Sequence, residues 1–324
     1  MKLPKISVVM AVYNSKNHLA EAIESILNQS FRKFELIIIN DGSSDNCLDI
    51  IQNYSKQDQR IVLISNKINR GPAKARNQAL NIARGSYIAV LDSDDIALSN
   101  RLEIQHKYMS QHNNIFLTGS NYQVIDKSGV VSHSHSMTAN PKKIQKKLPY
   151  KNCFCHSTVM YRNANKNKIL YRNKFEYSQD YDLYLRLLSD GKQMTNLKHV
   201  LAQYRINPNG ISLRERGKQK LFAQKAKQFY RERVEYGEDS YDEFDPNDIL
   251  GLDTKKSFQK IILEEEITSS FKLGEYKALR KIYKTYSKLH GFKPKLFIYY
   301  WSTFIPKPLI NMFKKFLSNL KGIR

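Results

Sequence analysis

The stretch Asp92-Ser93-Asp94-Asp95 sets three carboxylates within four positions, directly behind the apolar run of residues 87–91. Residues two apart on an extended segment project to the same side, so Asp92 and Asp94 can address one ligand while Ser93 turns away. Two hard oxygen donors at that spacing suit Mg²⁺ or Mn²⁺ and the diphosphate such a metal bridges. The bland alternative is a strand-end turn with helix capping, and Asp95 is open to either use.

A turn of this kind needs a rigid sheet behind it. The β-branched run KISVVMAVYN leads to HLAEAIESILNQ, with Leu19, Ile23, Ile26 and Leu27 on one helical face. FELIIIND and RIVLISN are further strands, each followed by a helical stretch, and SYIAVLD is a fourth strand. Strands and helices alternating in this way, with nearly continuous apolar strands, predict an α/β fold: a mostly parallel sheet with helices on both faces. Beyond Asp95 a helix over SNRLEIQHKYMSQHN, strands over IFLTGSNYQVID, GVVSHSHSM and HSTVMYR, a helix over DYDLYLRLLSDG and a last strand over NLKHVLAQYRIN follow. The pattern changes character near residue 215, which places the α/β domain, expected to carry any catalytic chemistry, over residues 1–215 and a helical, basic C-terminal region over 216–324.

In open parallel sheets ligands sit at the carboxyl ends of the strands. Those ends carry Tyr13 and Asn14 after strand one, and Asp41, Gly42 and Ser43 after strand two. Arg70, Lys74 and Arg76 follow strand three, and the aspartates follow strand four. Asp41 could be a turn former before glycine, and part of the basic trio a solvated helix face. Neither G-x-x-x-x-G-K-[ST] nor G-x-G-x-x-G occurs, which argues against P-loop and dinucleotide sites.

The formal charge of +23 demands an acidic partner: nucleic acid, anionic lipid or phosphorylated substrate. Three sparse cysteines give no disulfide framework, and Cys153-x-Cys155-His156 lacks a second pair for zinc. The N-terminal apolar run is too short for a signal peptide, so a cytosolic protein is expected.

Taken in order, SVVMAVYN, IIINDGSSD, RGPAKARNQAL, YIAVLDSDD, CHSTVMYR and SQDYDLYLRL resemble the bacterial family 2 glycosyltransferases of the GT-A fold, over about residues 5–212. The resemblance implies inverting transfer of a sugar from a nucleotide diphosphate donor, a UDP-sugar foremost, to an acceptor hydroxyl on a lipid-linked or growing surface glycan. It assigns Asp41 to the base, Asp92 to the ribose and metal, Asp94 to Mn²⁺ or Mg²⁺, and Asp180 to proton abstraction, with Asp182 as competitor. Tyr13 and Asn14 are placed against the nucleotide, and one or two of Arg70, Lys74 and Arg76 at phosphate or ribose. His156 is expected in the wall near the acceptor. Where the family often shows YRIH, this chain reads YRIN, so Asn207 stands in the histidine's place and offers no imidazole nitrogen. A sugar nucleotidyltransferase would carry a glycine-rich loop after strand one, which AVYNSKNHL lacks; a nucleic-acid-binding protein leaves Asp-x-Asp unexplained, and no nucleic-acid partner is expected. Aromatics beside Lys/Arg near the C-terminus, including Phe297, Tyr299, Tyr300 and Trp301, point to an anionic membrane surface at the inner face of the cytoplasmic membrane, or else to a packed helical cap.

Overall fold

The computed structural model describes residues 3–163, 170–206, 215–251 and 259–305. The chain forms two compact units, Met1–Leu250 and Gly251–Arg324.

In the first unit β1 (Ile6–Val12), β2 (Phe34–Asp41), β3 (Ile61–Asn66) and β4 (Tyr87–Val90) pair in parallel in the order β3-β2-β1-β4. Alternate residues serve opposite faces. Val8, Met10, Leu36 and Ile38 join one core with Leu19, Ile23 and Ile26 of α1 (Lys16–Leu27) and Ile51 of α2 (Cys47–Gln57). Val9, Ile37 and Ile39 are buried on the other face, where α3 (Pro72–Ile82) packs on β1 and β2. Covering both faces is what makes the strands apolar throughout, and each such side chain contributes roughly 1.5–3 kcal/mol on burial. Gly85 precedes β4 because a Cβ there would lie 2.5 Å from the Ser7 amide nitrogen.

Past β4 the sheet becomes mixed. Counting strands along the chain, β5 (Ile96–Ala97), β6 (Ile115–Ile125), β7 (Val131–His135), β8 (Met160–Arg162) and β9 (Gln193–Arg205) complete it in the order β4-β8-β6-β9-β5, with β7 a hairpin partner of β6. β6 and β9 run parallel, whereas the pairs made by β8, β7 and β5 are antiparallel. α4 (Arg101–Gln111), α5 (Pro141–Lys147) and α6 (Gln179–Ser189) accompany these strands. The strand expected over HSTVMYR begins only at Met160, since His156–Thr158 is a 3-10 turn.

The first unit also holds α7 (Arg216–Tyr236) and α8 (Asn247–Leu250). Phe222 and Phe229 of α7 meet Phe175 at ring-centroid distances of 5.8 and 6.1 Å, and Phe244 closes the cluster. The compact unit therefore ends at Leu250, beyond the boundary expected near 215. The second unit comprises α9 (Gln259–Leu273), α10 (Tyr276–His290) and α11 (Pro294–Ser302), built on Ile267, Phe271, Leu279, Tyr283, Tyr286, Leu296 and Tyr299. Among the described residues no helix is long and apolar enough to cross a membrane.

Candidate active site

The carboxyl ends of β1, β2 and β4 are tied together by side chains. Asn14 takes a left-handed backbone (φ 50°), which asparagine tolerates better than most residues. Its Oδ1 accepts from the Ser44 amide at 2.9 Å, and its own amide donates to Ser43 Oγ at 3.1 Å. Ser15 Oγ lies 2.7 Å from Ser93 Oγ, joining the first turn to the aspartate turn. Tyr13 is exposed beside it.

Asp41 is buried, and its carboxylate is already engaged. Oδ1 accepts from Asn66 Nδ2 at 2.8 Å, both oxygens accept from the Arg70 amide at 3.1 Å, and Oδ2 accepts from the Gly71 amide at 2.9 Å. The clamp fixes residues 68–71, which border a cavity of about 610 Å³ with Lys74, Asn77, Asn173 and Glu176. Arg70 and Lys74 are exposed at this cavity, while Arg76 turns inward.

Arg76 meets the aspartate turn. Its Nη2 donates to Asp92 Oδ1 at 2.7 Å, its side chain is only 8% exposed, and its guanidinium lies 5.8 Å from the Tyr171 ring centroid. Burial alone would raise the Asp92 carboxyl, but the nearby charge of Arg76, and then His156, holds it below the usual carboxylate range. Burial first, and the charge of Asp92 second, push Asp94 up to about 6. Asp95 is buried, accepts from the Arg205 amide at 2.8 Å through Oδ1, and has no hydrogen-bond partner for Oδ2 among the described residues. Its carboxyl is pushed well up by burial and by Asp94 and Asp92. Arg205 Nε also donates to the Asp94 carbonyl at 2.9 Å, and its Nη2 to Glu21 at 2.6 Å. Asp95 is thereby a support of the turn rather than the start of α4.

Three acids sharing one turn leave an excess of negative charge that a dication would relieve. Among the described residues no group of three or more His, Cys, Asp or Glu could hold a metal ion. Asp94 with Asp92 still fits Mg²⁺ or Mn²⁺ in the manner of ions held by one or two carboxylates together with substrate phosphates.

α6 opens with Ser178, again left-handed at φ 54°. Asp180 in its first turn is half-buried, and its Oδ2 accepts from Asn152 Nδ2 at 3.0 Å. Its competitor Asp182 is buried, 3.0 Å from Arg186 Nε and 3.6 Å from Arg172 Nη1, so it is committed to ion pairs. The charge of Asp180 acts on His156, Tyr171 and Tyr184, and so does that of Asp92. His156 bridges the two tyrosines, Nδ1 2.7 Å from Tyr184 Oη and Nε2 3.2 Å from Tyr171 Oη. Asn207 lies outside the described residues.

Residues 7–169 match the family model "Glycosyl transferase family 2". A Methanocaldococcus jannaschii protein described as an uncharacterized glycosyltransferase is 38% identical over 69% of this chain and 78% of its own length. The chain belongs to glycosyl transferase family 2. The Escherichia coli enzyme WfgD, a UDP-Glc:alpha-D-GlcNAc-diphosphoundecaprenol beta-1,3-glucosyltransferase, is 34% identical over 64% of this chain and 79% of its own. Among solved structures, the mannosyltransferase PcManGT from Pyrobaculum calidifontis, in complex with GDP-Man and Mn²⁺, superposes with a TM-score of 0.57 at 14% identity, over 94% of this chain and 84% of that one. The expected GT-A architecture is thus borne out, and the protein is a glycosyltransferase.

Arg205 of this glycosyltransferase is a residue around the aspartate turn that sequence alone did not single out, although a cation closing an otherwise half-apolar strand in YRIN was a signal. His156 was expected in the wall near the acceptor, but its place between Tyr171 and Tyr184 had no local signal, because the tyrosines come from separate segments.

Proposed function

We propose that this glycosyltransferase transfers a sugar, with inversion, from a nucleotide diphosphate donor to an acceptor hydroxyl. A UDP-sugar donor and a lipid-linked or growing surface glycan as acceptor are supported by the relative named for transfer from UDP-Glc to a diphosphoundecaprenol-linked GlcNAc. Such an acceptor puts the enzyme at the inner face of the cytoplasmic membrane. The observation that carries the proposal is the chain of contacts from the aspartate turn to α6: Arg76 holds Asp92 at 2.7 Å and lies 5.8 Å from the Tyr171 ring, and His156 bridges Tyr171 to Tyr184 of the helix that carries Asp180. A donor held at one carboxylate and an acceptor at the other would meet between them.

In this scheme Tyr13 and Asn14 line the nucleotide, and Asp41 acts on the base through the 68–71 loop that it holds. Arg70 and Lys74 supply exposed charge for phosphate or ribose, while Arg76 orients Asp92 toward the ribose. Mg²⁺ or Mn²⁺ bound by Asp94 with Asp92 would offset negative charge on the departing nucleoside diphosphate. Asp180 accepts the proton of the attacking hydroxyl, and Asn152 holds its carboxylate in place. The catalytic domain proper takes in residues 1–215, with α7 and α8 completing its core and the helices beyond serving the membrane surface.

The test is incubation with a panel of nucleotide sugars and Mn²⁺ or Mg²⁺, scoring release of nucleoside diphosphate. One donor should be consumed, and Asp94→Asn should abolish its turnover. A panel in which nothing is bound or consumed, beside tight DNA binding, sinks the proposal.

A further inference from the structure

We infer that α10 and α11 present a docking surface for an anionic phospholipid bilayer, a deepening that rests on the proposed lipid-linked acceptor. α11 is apolar on two sides. Leu296 and Tyr299 enter the core of the second unit, whereas Phe297 and Trp301, spaced i and i+4, are exposed, as is Phe304 in the turn just beyond the helix. Trp301 is 59% exposed, and Phe292, 68% exposed, extends the face through a 5.3 Å ring contact with Phe297. A row of large exposed aromatics is not how a helix resting only on its own protein is built.

The neighbouring helix supplies the charge. Lys277, Lys281, Lys284 and Lys288 recur at i, i+4, i+7 and i+11, so they form one exposed stripe on α10. No salt bridge engages any of the four among the described residues. Residues 276–305 contain seven Lys/Arg and no Asp or Glu. Arg280 joins the two faces, its guanidinium 4.1 Å from the Phe304 ring centroid. Nine residues of α11 span about 14 Å, against the ~30 Å of a hydrocarbon core, so the helix lies on a bilayer and does not cross it. Single-stranded nucleic acid would want aromatics set within the basic groove as stacking platforms; here they form a separate apolar row flanked by lysines, the pattern of an interfacial helix.

Trp301 is the chain's single tryptophan, so its emission reports on this face directly. The full chain, titrated with phosphatidylglycerol/phosphatidylcholine vesicles in low salt, should show a blue shift of that emission and co-sediment. Pure phosphatidylcholine and 0.5 M salt should remove most of the binding. Lys281→Glu with Lys284→Glu should weaken partitioning by about thirtyfold or more, each lysine being worth about fivefold at an anionic surface. Phe297→Ser with Phe304→Ser should weaken it similarly while leaving Trp301 as reporter. All four residues are exposed, far-UV circular dichroism checks folding, and release of nucleoside diphosphate from soluble donor should not change. Unshifted emission with anionic vesicles overturns the inference, as does a dimer by light scattering that already shields Trp301 without lipid, or equal affinity for DNA. Vesicle binding needs no sugar, so binding without transfer would sink only the acceptor proposal. Transfer to a soluble acceptor without vesicle binding would sink only this one.

Discussion

Arg76 Nη2 lies 2.7 Å from Asp92 Oδ1, which commits a buried guanidinium of α3 to the aspartate turn instead of leaving it free for phosphate. Removing one partner of a buried pair costs about 3–5 kcal/mol when both are enclosed. Asp92 is 31% exposed on its side chain, so about 2 kcal/mol is the expectation for Arg76→Ala. Urea denaturation should show a lower midpoint with an unchanged slope. Donor turnover should fall at least about tenfold, because Asp92 loses its orientation. Arg76→Lys keeps the charge but not the planar contact with Tyr171, and should rescue stability more than activity.

Asp180 and Asp182 share the first turn of α6 and should behave oppositely. Asp180→Asn loses a half-exposed carboxylate that, among the described residues, accepts one hydrogen bond, from Asn152, so the melting temperature should hardly move. Transfer should fall by about 10²–10⁴, the usual worth of a general base, with nucleotide-sugar affinity kept. Asp182→Asn removes the buried charge that faces Arg186, while Arg172 keeps Asp239 at 2.6 Å, and should cost about 2 kcal/mol. If Asp182→Asn folds normally and is the inactive variant, the base has been assigned to the wrong residue.

The first four strands and their helices were legible because β1, β2 and β4 are buried on both faces, the edge strand β3 is still an apolar run, and the helices between them carry apolar positions toward the sheet. What followed β4 was harder. α5 carried its own signal, Asn140 capping through the Lys143 amide at 3.0 Å with Pro141 at the first position, yet its short run shows little periodicity. β5 is two residues long and exists only through its pairing with β9, which no local pattern announces. The site divides in the same way. The Asp-x-Asp turn and Asp180 stand in local motifs, whereas Arg205 gripping Asp95 spans 110 positions of sequence. Asp41 was legible as a residue at the carboxyl end of β2, but its engagement with the Arg70 and Gly71 amides depends on how the loop after β3 folds back.

His156 should give the folded protein a recognisable pH signature. Burial first, and the charge of Arg76 next, hold its ring below the ordinary histidine value, against Asp92 and Asp180. The unfolded chain therefore takes up a proton near pH 6.5 that the folded ring refuses until lower pH. The stability contributed by the neutral ring is full above about pH 6.5 and declines as the pH falls toward the folded value. Asp94, raised to about 6, acts with the opposite sign, so the wild-type profile alone is a mixture. The difference between wild type and His156→Gln isolates the ring: urea midpoints at pH 7.5, 6.5 and 5.5 should converge as the pH falls. Parallel profiles would mean that the ring titrates normally.

Gly42 is where the fold presses most tightly on the loop of the proposed donor site. It follows Asp41 at φ 69°, and a Cβ there would lie 2.5 Å from the carbonyl carbon of Ile68, whose neighbours 69–71 border the cavity. Backbone atoms cannot swing aside as a side chain does, so Gly42→Ala must shift the loop or the turn. Left-handed strain alone is worth about 1–2 kcal/mol, and the contact adds to it. Loss of stability should come with a rise in KM for the nucleotide sugar that exceeds any fall in kcat, since Asp94 and Asp180 are untouched. Gly237→Ala supplies the control. Its φ of 86° imposes similar strain at the end of α7, but nothing lies within 4 Å of the added carbon. It should therefore destabilise by about 1 kcal/mol and leave KM unchanged. Equal KM values for the two variants would detach the 68–71 loop from donor binding.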